Sequence, residues 1–347
     1  MGKAVVFIEP RRVGIKEYED KILETNEVRL ETLYSGISAG TELTHYRGSN
    51  PYIHKHWDNK AHLFLPAQEG SVKYPITGGY EECGRIIELG SKVTSVKDGD
   101  IIYGTWGHRS QYIVTEEYAS KRVLPANLNP ILGIFSQMGA IALNGILDAA
   151  IRISETVVIF GLGTPGQIVA QLAKKSGAYV IGVDLIDKRL EIAQKLHGID
   201  VAINGSKGNV AEQIKAMTNN RGADVSIEAT GYYSALQEAV RSTAYSAKVI
   251  ALGFFQGNGE NLYLGEEFHH NRINIVCSQI FGVSPELTYR WNEERLVHSA
   301  MRLQSEGVLN LQPIITHVFP FSEAAEAFRM CDSESEKTIQ VVIDFQK

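Results

Sequence analysis

Along roughly the first 125 residues, apolar and polar positions alternate in short runs with period two, the spacing of half-buried strands. Glu27-Val28-Arg29-Leu30-Glu31-Thr32-Leu33 is the clearest run. Gly84-Arg85-Ile86-Ile87-Glu88-Leu89-Gly90 is another apolar segment bounded by glycine. Lys97-Asp98-Gly99-Asp100 predicts a turn before a strand at Ile101-Ile102-Tyr103. At the N-terminus, Ala4-Val5-Val6-Phe7 is cut short by Glu9, Arg11 and Arg12, so it predicts a first strand rather than a signal peptide. Between Tyr52 and Tyr74 no period holds. That segment carries His54, His56, Trp57 and His62 and predicts a long loop or insertion.

The texture changes near Leu128. From there strands alternate with 3.6-period helices, which predicts βαβ units and an α/β, doubly wound parallel sheet. Strands are expected over 156–160, 179–183, 200–203, 224–227, 248–252 and 273–277, with helices over 167–176 and 187–197. The tail predicts helices over 287–305 and 322–331 and a last strand over 338–343. No apolar run approaches the ~20 residues of a membrane helix.

The strongest chemical signal is Val157-Val158-Ile159-Phe160-Gly161-Leu162-Gly163-Thr164-Pro165-Gly166. This is GxGxxG directly after a strand and before a helix, the setting of a dinucleotide-binding turn. Gly161 permits the tight turn, and Gly163 lets backbone approach a pyrophosphate. Gly166 lets the helix pack close to the sheet. The helix N-terminus, with Thr164 and Pro165, offers N–H groups and a positive dipole to phosphates. Asp184 closes the next strand and can accept from adenosine ribose hydroxyls. Its charge would repel a 2′-phosphate, so NAD is favoured over NADP. Lys188 and Arg189 follow and soften that preference. Glu228-Ala229-Thr230-Gly231 and Ala251-Leu252-Gly253-Phe254 end two further strands. Ligands of open α/β sheets bind beyond the carboxyl ends of strands, so Thr230, Gly231 and Gly253 are candidate cofactor contacts.

Length and charge narrow the picture further. The 347 residues suggest two domains. A net charge of -6 argues against a nucleic-acid binder. Cys83, Cys277 and Cys331 are too scattered for a disulfide framework or a CxxC metal site, which suits a cytoplasmic protein with reduced thiols.

The chain resembles the medium-chain dehydrogenase/reductase superfamily, the zinc-type alcohol dehydrogenases. The resemblance rests on Ser35-Gly36-Ile37-Ser38-Ala39-Gly40-Thr41-Glu42, Gly79-Tyr80-Glu81-Glu82-Cys83-Gly84, Lys97-Asp98-Gly99-Asp100, the nucleotide motif and Glu228-Ala229-Thr230-Gly231. Phe321-Ser322-Glu323-Ala324-Ala325-Glu326-Ala327-Phe328 adds to it. The first two stretches are also similar to those of bacteriochlorophyllide dehydrogenase-like members. The resemblance implies a GroES-like substrate domain from residues 1–127 and 282–347, a Rossmann domain over 128–281, and substrate in the cleft between them. It also implies a homodimer or homotetramer, with 273–277 as a plausible edge.

The zinc ligands expected from that resemblance are missing. Ser38 or Ala39 stands for the first Cys, Tyr80 for the His of Gly-His-Glu, and Gln137 for the third ligand. Zinc takes thiolate, imidazole or carboxylate, and Glu81 alone does not hold it. A metal site of another kind would have to draw on His45, His54, His56, His62 and Glu69, with His54 and His56 sharing one side of a strand. Without zinc, a tyrosine, histidine or carboxylate must move the alcohol proton. Tyr80, Glu81, Glu42 and Ser38 are the candidates. Gln137, Trp57 and His54 are candidate substrate contacts, since aromatic faces beside polar groups suit a sugar or polyol. The expected function is NAD(H)-dependent interconversion of a secondary alcohol and ketone on a small polar molecule. The alternatives are a zinc-independent quinone or enoyl reductase and a non-catalytic nucleotide-binding protein.

Overall fold

The computed structural model describes residues 1–66 and 70–347. Glu69 lies outside the described residues. The chain divides into two compact units, Met1–Gln137 with Ile315–Lys347, and Met138–Ile314.

The central unit is built on a parallel six-stranded sheet. Its order is Val201–Asn204, Tyr179–Asp184, Thr156–Phe160, Ala223–Glu228, Thr243–Ala251, Asn274–Cys277. Val157, Val158 and Ile159 are wholly buried, as a strand covered on both faces requires. Val157 pairs with Val180 on one side and Val225 on the other. The chain winds outward from Thr156–Phe160 and then restarts beside it at Ala223–Glu228. The ends of these two neighbours therefore mark the topological switch point. Asn274–Cys277 is an edge strand, as expected.

The helix after the glycine turn is Thr164–Lys175, three residues earlier than the pattern predicts. Proline at the first turn has its φ preset for a helix and lacks only an N–H that would go unpaired there. The expected helix over 287–305 is instead a short turn at Pro285–Leu287 and a helix Glu293–Ser305. Asn292 caps it by accepting from Arg295 N at 2.8 Å. This helix packs into the central unit: Leu296 and Met301 are buried, and a Cβ on Gly139 would lie 2.7 Å from that of Ala300. The unit boundaries thus fall at 137/138 and 314/315 rather than at 127/128 and 281/282.

In the first unit, Glu27–Ile37 is the hub. It pairs with Glu82–Leu89, Gln111–Thr115 and, through the returning tail, Gln340–Asp344. Ile315–Pro320 and Ile101–Gly104 extend that sheet at its two ends. A second sheet joins Gly2–Glu9 to Arg12–Tyr18 and Ile76–Thr77. Phe7, Tyr46 and Phe328 form an aromatic core, with Phe7 and Phe328 edge-to-face at 5.0 Å.

Further sequence expectations are corrected. The 52–74 segment is not plain loop: it holds a helical turn Pro51–His54 and a hairpin Lys55–Asp58/Leu63–Pro66. His54 ends the helical turn and His56 lies on the hairpin, so they do not share a strand face. Pro130–Ala149 is an apolar stretch of 20 residues that the reading along the chain missed, and most of it is buried inside the fold.

Candidate functional site

The glycine turn has the form a pyrophosphate requires. Gly161 sits at φ +90°, a conformation that disfavours a side chain. A Cβ at Gly166 would run into the Gly161 carbonyl, so the helix start can lie this close only without one. At Gly163 a Cβ would meet nothing within 4 Å, which leaves an open face of bare backbone at the helix N-terminus. Asp184 is buried at the end of its strand. Its Oδ2 accepts from Leu162 N at 2.7 Å and its Oδ1 from Ile186 N at 3.0 Å. Each oxygen keeps a second lone pair for a ribose hydroxyl. Arg189 Nη1 stands 3.8 Å from Asp184 Oδ2, the neighbour expected to temper its charge. Thr230, Gly231 and Gly253 are brought together. Glu228 accepts from Thr230 N at 2.7 Å and Gly231 N at 3.1 Å, while Gly253 N donates to the Glu228 carbonyl at 3.0 Å. Burial pushes the Glu228 carboxyl up to about 7 against those hydrogen bonds.

The first unit assembles a different cluster. Ser35 and Ser38 lie at the end of the hub strand, and Glu42 opens the helix Glu42–Arg47. Tyr80 and Glu81 lead into Glu82–Leu89, and Ser35 is paired directly across from Glu82. Ser38 Oγ and Tyr80 Oη share a short hydrogen bond, with Thr41 Oγ1 3.4 Å from the Tyr80 oxygen. Desolvation raises the Tyr80 hydroxyl pKa against the hydrogen bonds of Ser38 and Thr41, so it keeps its proton. Glu42 is buried; its Oε1 accepts from Ser38 N at 2.9 Å and its Oε2 lies 2.6 Å from His108 Nε2. Glu81 is wholly buried apart from that chain, accepting from Gln340 Nε2 at 3.0 Å and pressed against Gly36. Its Oε1 has no protein partner. Burial, reinforced by the Glu42 and Glu82 charges, lifts the Glu81 pKa well above the carboxylate range.

The other candidates stand elsewhere. Gln137 is buried in the first turn of Phe135–Ala149. His54 is exposed, its Nε2 2.6 Å from the Gly48 carbonyl. Trp57 packs on Phe64 at 4.8 Å within the hairpin.

His108, Glu82 and Ser35 are polar members of the site that sequence reading missed. Burial lifts the Glu82 carboxyl to about 7, opposed by the His108 charge and the Trp106 and Ser35 hydrogen bonds. For His108, burial works against the charged form, but the charge and hydrogen bond of Glu42, with the Glu82 charge, outweigh it and raise the pKa. One signal was available: Glu82 falls on the inward face of an apolar strand, where a carboxylate demands a partner.

These residues do not fit a catalytic zinc. The ligand positions offer two hydroxyls and an amide, with the Tyr80 hydroxyl held protonated and bonded to Ser38. The nearby Glu42 and Glu82 carboxylates are taken up by His108, Ser35 and main-chain N–H groups. Among the described residues, no three His, Cys, Asp or Glu side chains group to hold a metal.

A parallel sheet with a glycine turn at its switch point, joined to a β-rich unit, defines a class, and the chain belongs to it: the medium-chain dehydrogenase/reductase superfamily of alcohol dehydrogenase-like oxidoreductases. The zinc-binding dehydrogenase family matches residues 166–294, inside the nucleotide-type unit and away from the ligand positions. The chain is 32% identical to D-guloside 3-dehydrogenase of Escherichia coli K12 over 99% of its own length and 100% of the relative's. It is 25% identical to (R,R)-butanediol dehydrogenase of Bacillus subtilis, covering 90% and 91% of the two chains. In fold it is similar to galactitol-1-phosphate dehydrogenase from E. coli, with a TM-score of 0.77, 21% identity and 99% of both chains covered.

Proposed function

We propose that this protein is an NAD(H)-dependent dehydrogenase that interconverts a secondary alcohol and a ketone on a sugar- or polyol-like substrate without catalytic zinc. The observation that carries this is the Ser38–Tyr80 hydroxyl pair standing at the ligand positions. The guloside and butanediol relatives support the alcohol and polyol class. The open backbone at Gly163 and the lone pairs of Asp184 suit the pyrophosphate and ribose of the cofactor, with Thr164, Pro165 and Arg189 beside them. Asp184 selects against a 2′-phosphate by repulsion.

Nicotinamide, when bound, supplies or takes up the hydride. In the direction of reduction, Tyr80 gives its hydroxyl proton to the substrate oxygen as the carbonyl becomes an alcohol. Ser38 donates a hydrogen bond to the resulting Tyr80 oxyanion until solvent returns the proton, and oxidation runs the same transfer in reverse. A high hydroxyl pKa keeps Tyr80 loaded as the acid. Glu81, which holds its proton in a buried setting, is assigned to support rather than to base catalysis. Partners are small molecules, and the edge strand Asn274–Cys277 is offered as a pairing edge between copies.

The test is Tyr80→Phe, assayed with NAD+ on a panel of gulosides, sorbitol and 2,3-butanediol. Positioned acid–base groups contribute ~10²–10⁴-fold, so kcat is expected to fall by at least about 100-fold. NADH binding is expected to be unchanged. Full activity in this variant would remove Tyr80 as the proton carrier.

A further inference from the structure

Four buried side chains form a continuous chain that the reaction above does not use. Glu42 Oε2 lies 2.6 Å from His108 Nε2, and His108 Nδ1 lies 2.6 Å from Ser35 Oγ. Ser35 Oγ donates to Glu82 Oε1 at 3.0 Å. None of the four is more than 2% exposed. Main-chain donors close both ends, Ser38 N on Glu42 and Trp106 N on Glu82 Oε2 at 2.7 Å.

With Glu42 and Glu82 both ionised, the available donors set the protons: Ser35 gives its one hydroxyl proton to Glu82, Nδ1 donates to Ser35 Oγ and Nε2 donates to the Glu42 carboxylate. Both ring nitrogens then carry protons, and the ring is an imidazolium. A buried carboxylate needs such a partner to stay ionised. Among the described residues, His108 is the cation in contact with Glu42. The groups facing the ring are Glu42 from its helix and Glu82 across from Ser35. The uncharged Phe328 ring packs on it at 5.6 Å. Glu81, Tyr80 and, on the helix Ala324–Ser333, Cys331 lie within electrostatic reach of Glu42.

The chain also touches the backbone that leads to Tyr80. A Cβ on Gly78 would lie 2.7 Å from Glu42 Oε2, and one on Gly79 2.7 Å from Glu82 Oε1. His108 N donates to the Gly78 carbonyl at 3.0 Å.

We propose that His108 is a positioning residue: its imidazolium locks Glu42 against the Ser38 amide and so holds the Ser38–Tyr80 hydroxyl pair in register for proton exchange. This rests on the proposed role of that pair. It assigns the site's fixed positive charge to an imidazolium.

The first readout needs no substrate. In protein labelled with 15N-histidine, the His108 signals, assigned by their loss in His108→Gln, are expected to show protons on both ring nitrogens at pH 7 to 8. An ordinary histidine, with a pKa of about 6.5, is neutral there. A singly protonated, neutral ring at pH 7 would overturn the proposal, and this measurement on the wild type stands even if the variant folds poorly. The second readout is hydrogen exchange at the Ser38 amide. His108→Gln keeps a donor toward Glu42 but loses the charge, and is expected to speed that exchange at least tenfold while amides of the central unit are unmoved. Unchanged protection at Ser38 would sink the positioning role. Where the panel gives turnover, kcat is expected to fall at least tenfold with KM for NAD+ unchanged. If Tyr80→Phe is fully active but His108 is doubly protonated and controls Ser38 exchange, the proton-carrier reading fails and the positioning role stands.

Discussion

The two units hold their buried carboxylates in opposite ways. In the central unit, Asp184 and Glu228 are satisfied chiefly by main-chain N–H groups of the turns they sit in: Leu162, Ile186, Thr230 and Gly231. Those donors do not titrate and come with the local backbone. In the first unit, Glu42 and Glu82 each take one main-chain donor but lean on His108 and Ser35 for the rest. The first arrangement is a rigid cradle whose chemistry belongs to whatever binds it. The second depends on one side chain's charge, so it is the part of the molecule that substitution should disturb most.

Removing that charge outright should have the largest effect. His108→Leu leaves Glu42 buried without its partner, a situation that typically costs about 3–5 kcal/mol. Chemical denaturation should show that loss in the first unit; a cost below about 1 kcal/mol would mean the ion pair is not what holds the chain together. The next effect is a pH dependence. Glu82 has its pKa raised from 4.5 to about 7 in the folded chain, so folding binds its proton more tightly. The stabilisation is present below about pH 4.5 and is lost as pH rises to about 7, on the order of 3 kcal/mol. Glu82→Gln should flatten that slope, while the slope from Glu228 in the central unit, of the same sign, persists. A variant with the wild-type slope would contradict the assignment.

A smaller effect separates two glycines of the rigid cradle. Gly166→Ala forces a methyl into the Gly161 carbonyl and should destabilise the central unit by about 1–3 kcal/mol. Gly163→Ala meets nothing within 4 Å and should leave stability within about 0.5 kcal/mol, yet weaken NADH binding at least tenfold. Equal affinity in Gly163→Ala, measured by NADH fluorescence, would argue against pyrophosphate on that face.

The same contrast explains what was legible in the chain. The glycine turn was readable because backbone chemistry needs particular residues at fixed spacing: Gly161, Gly163, Gly166 and Asp184 lie within 24 consecutive positions. Tyr80, Ser38 and Glu42 were found through resemblance, by the positions they occupy. His108, Glu82 and Ser35 were not, because their partners come from separate strands and a turn, and no local pattern records that Ser35 lies across from Glu82. His54 and His56 misled for the converse reason: neighbours in sequence suggested a shared face, but a helical turn ends between them.

In the proposed mechanism hydroxyls, positioned by an imidazolium, take the place of the zinc usual in this fold. The most direct measurement is the elemental metal content of tag-free protein after mild dialysis, followed by NAD+-linked turnover before and after chelation. Zinc far below one atom per chain, with turnover untouched by the chelator, is the result expected. Near-stoichiometric zinc that leaves together with activity would contradict it.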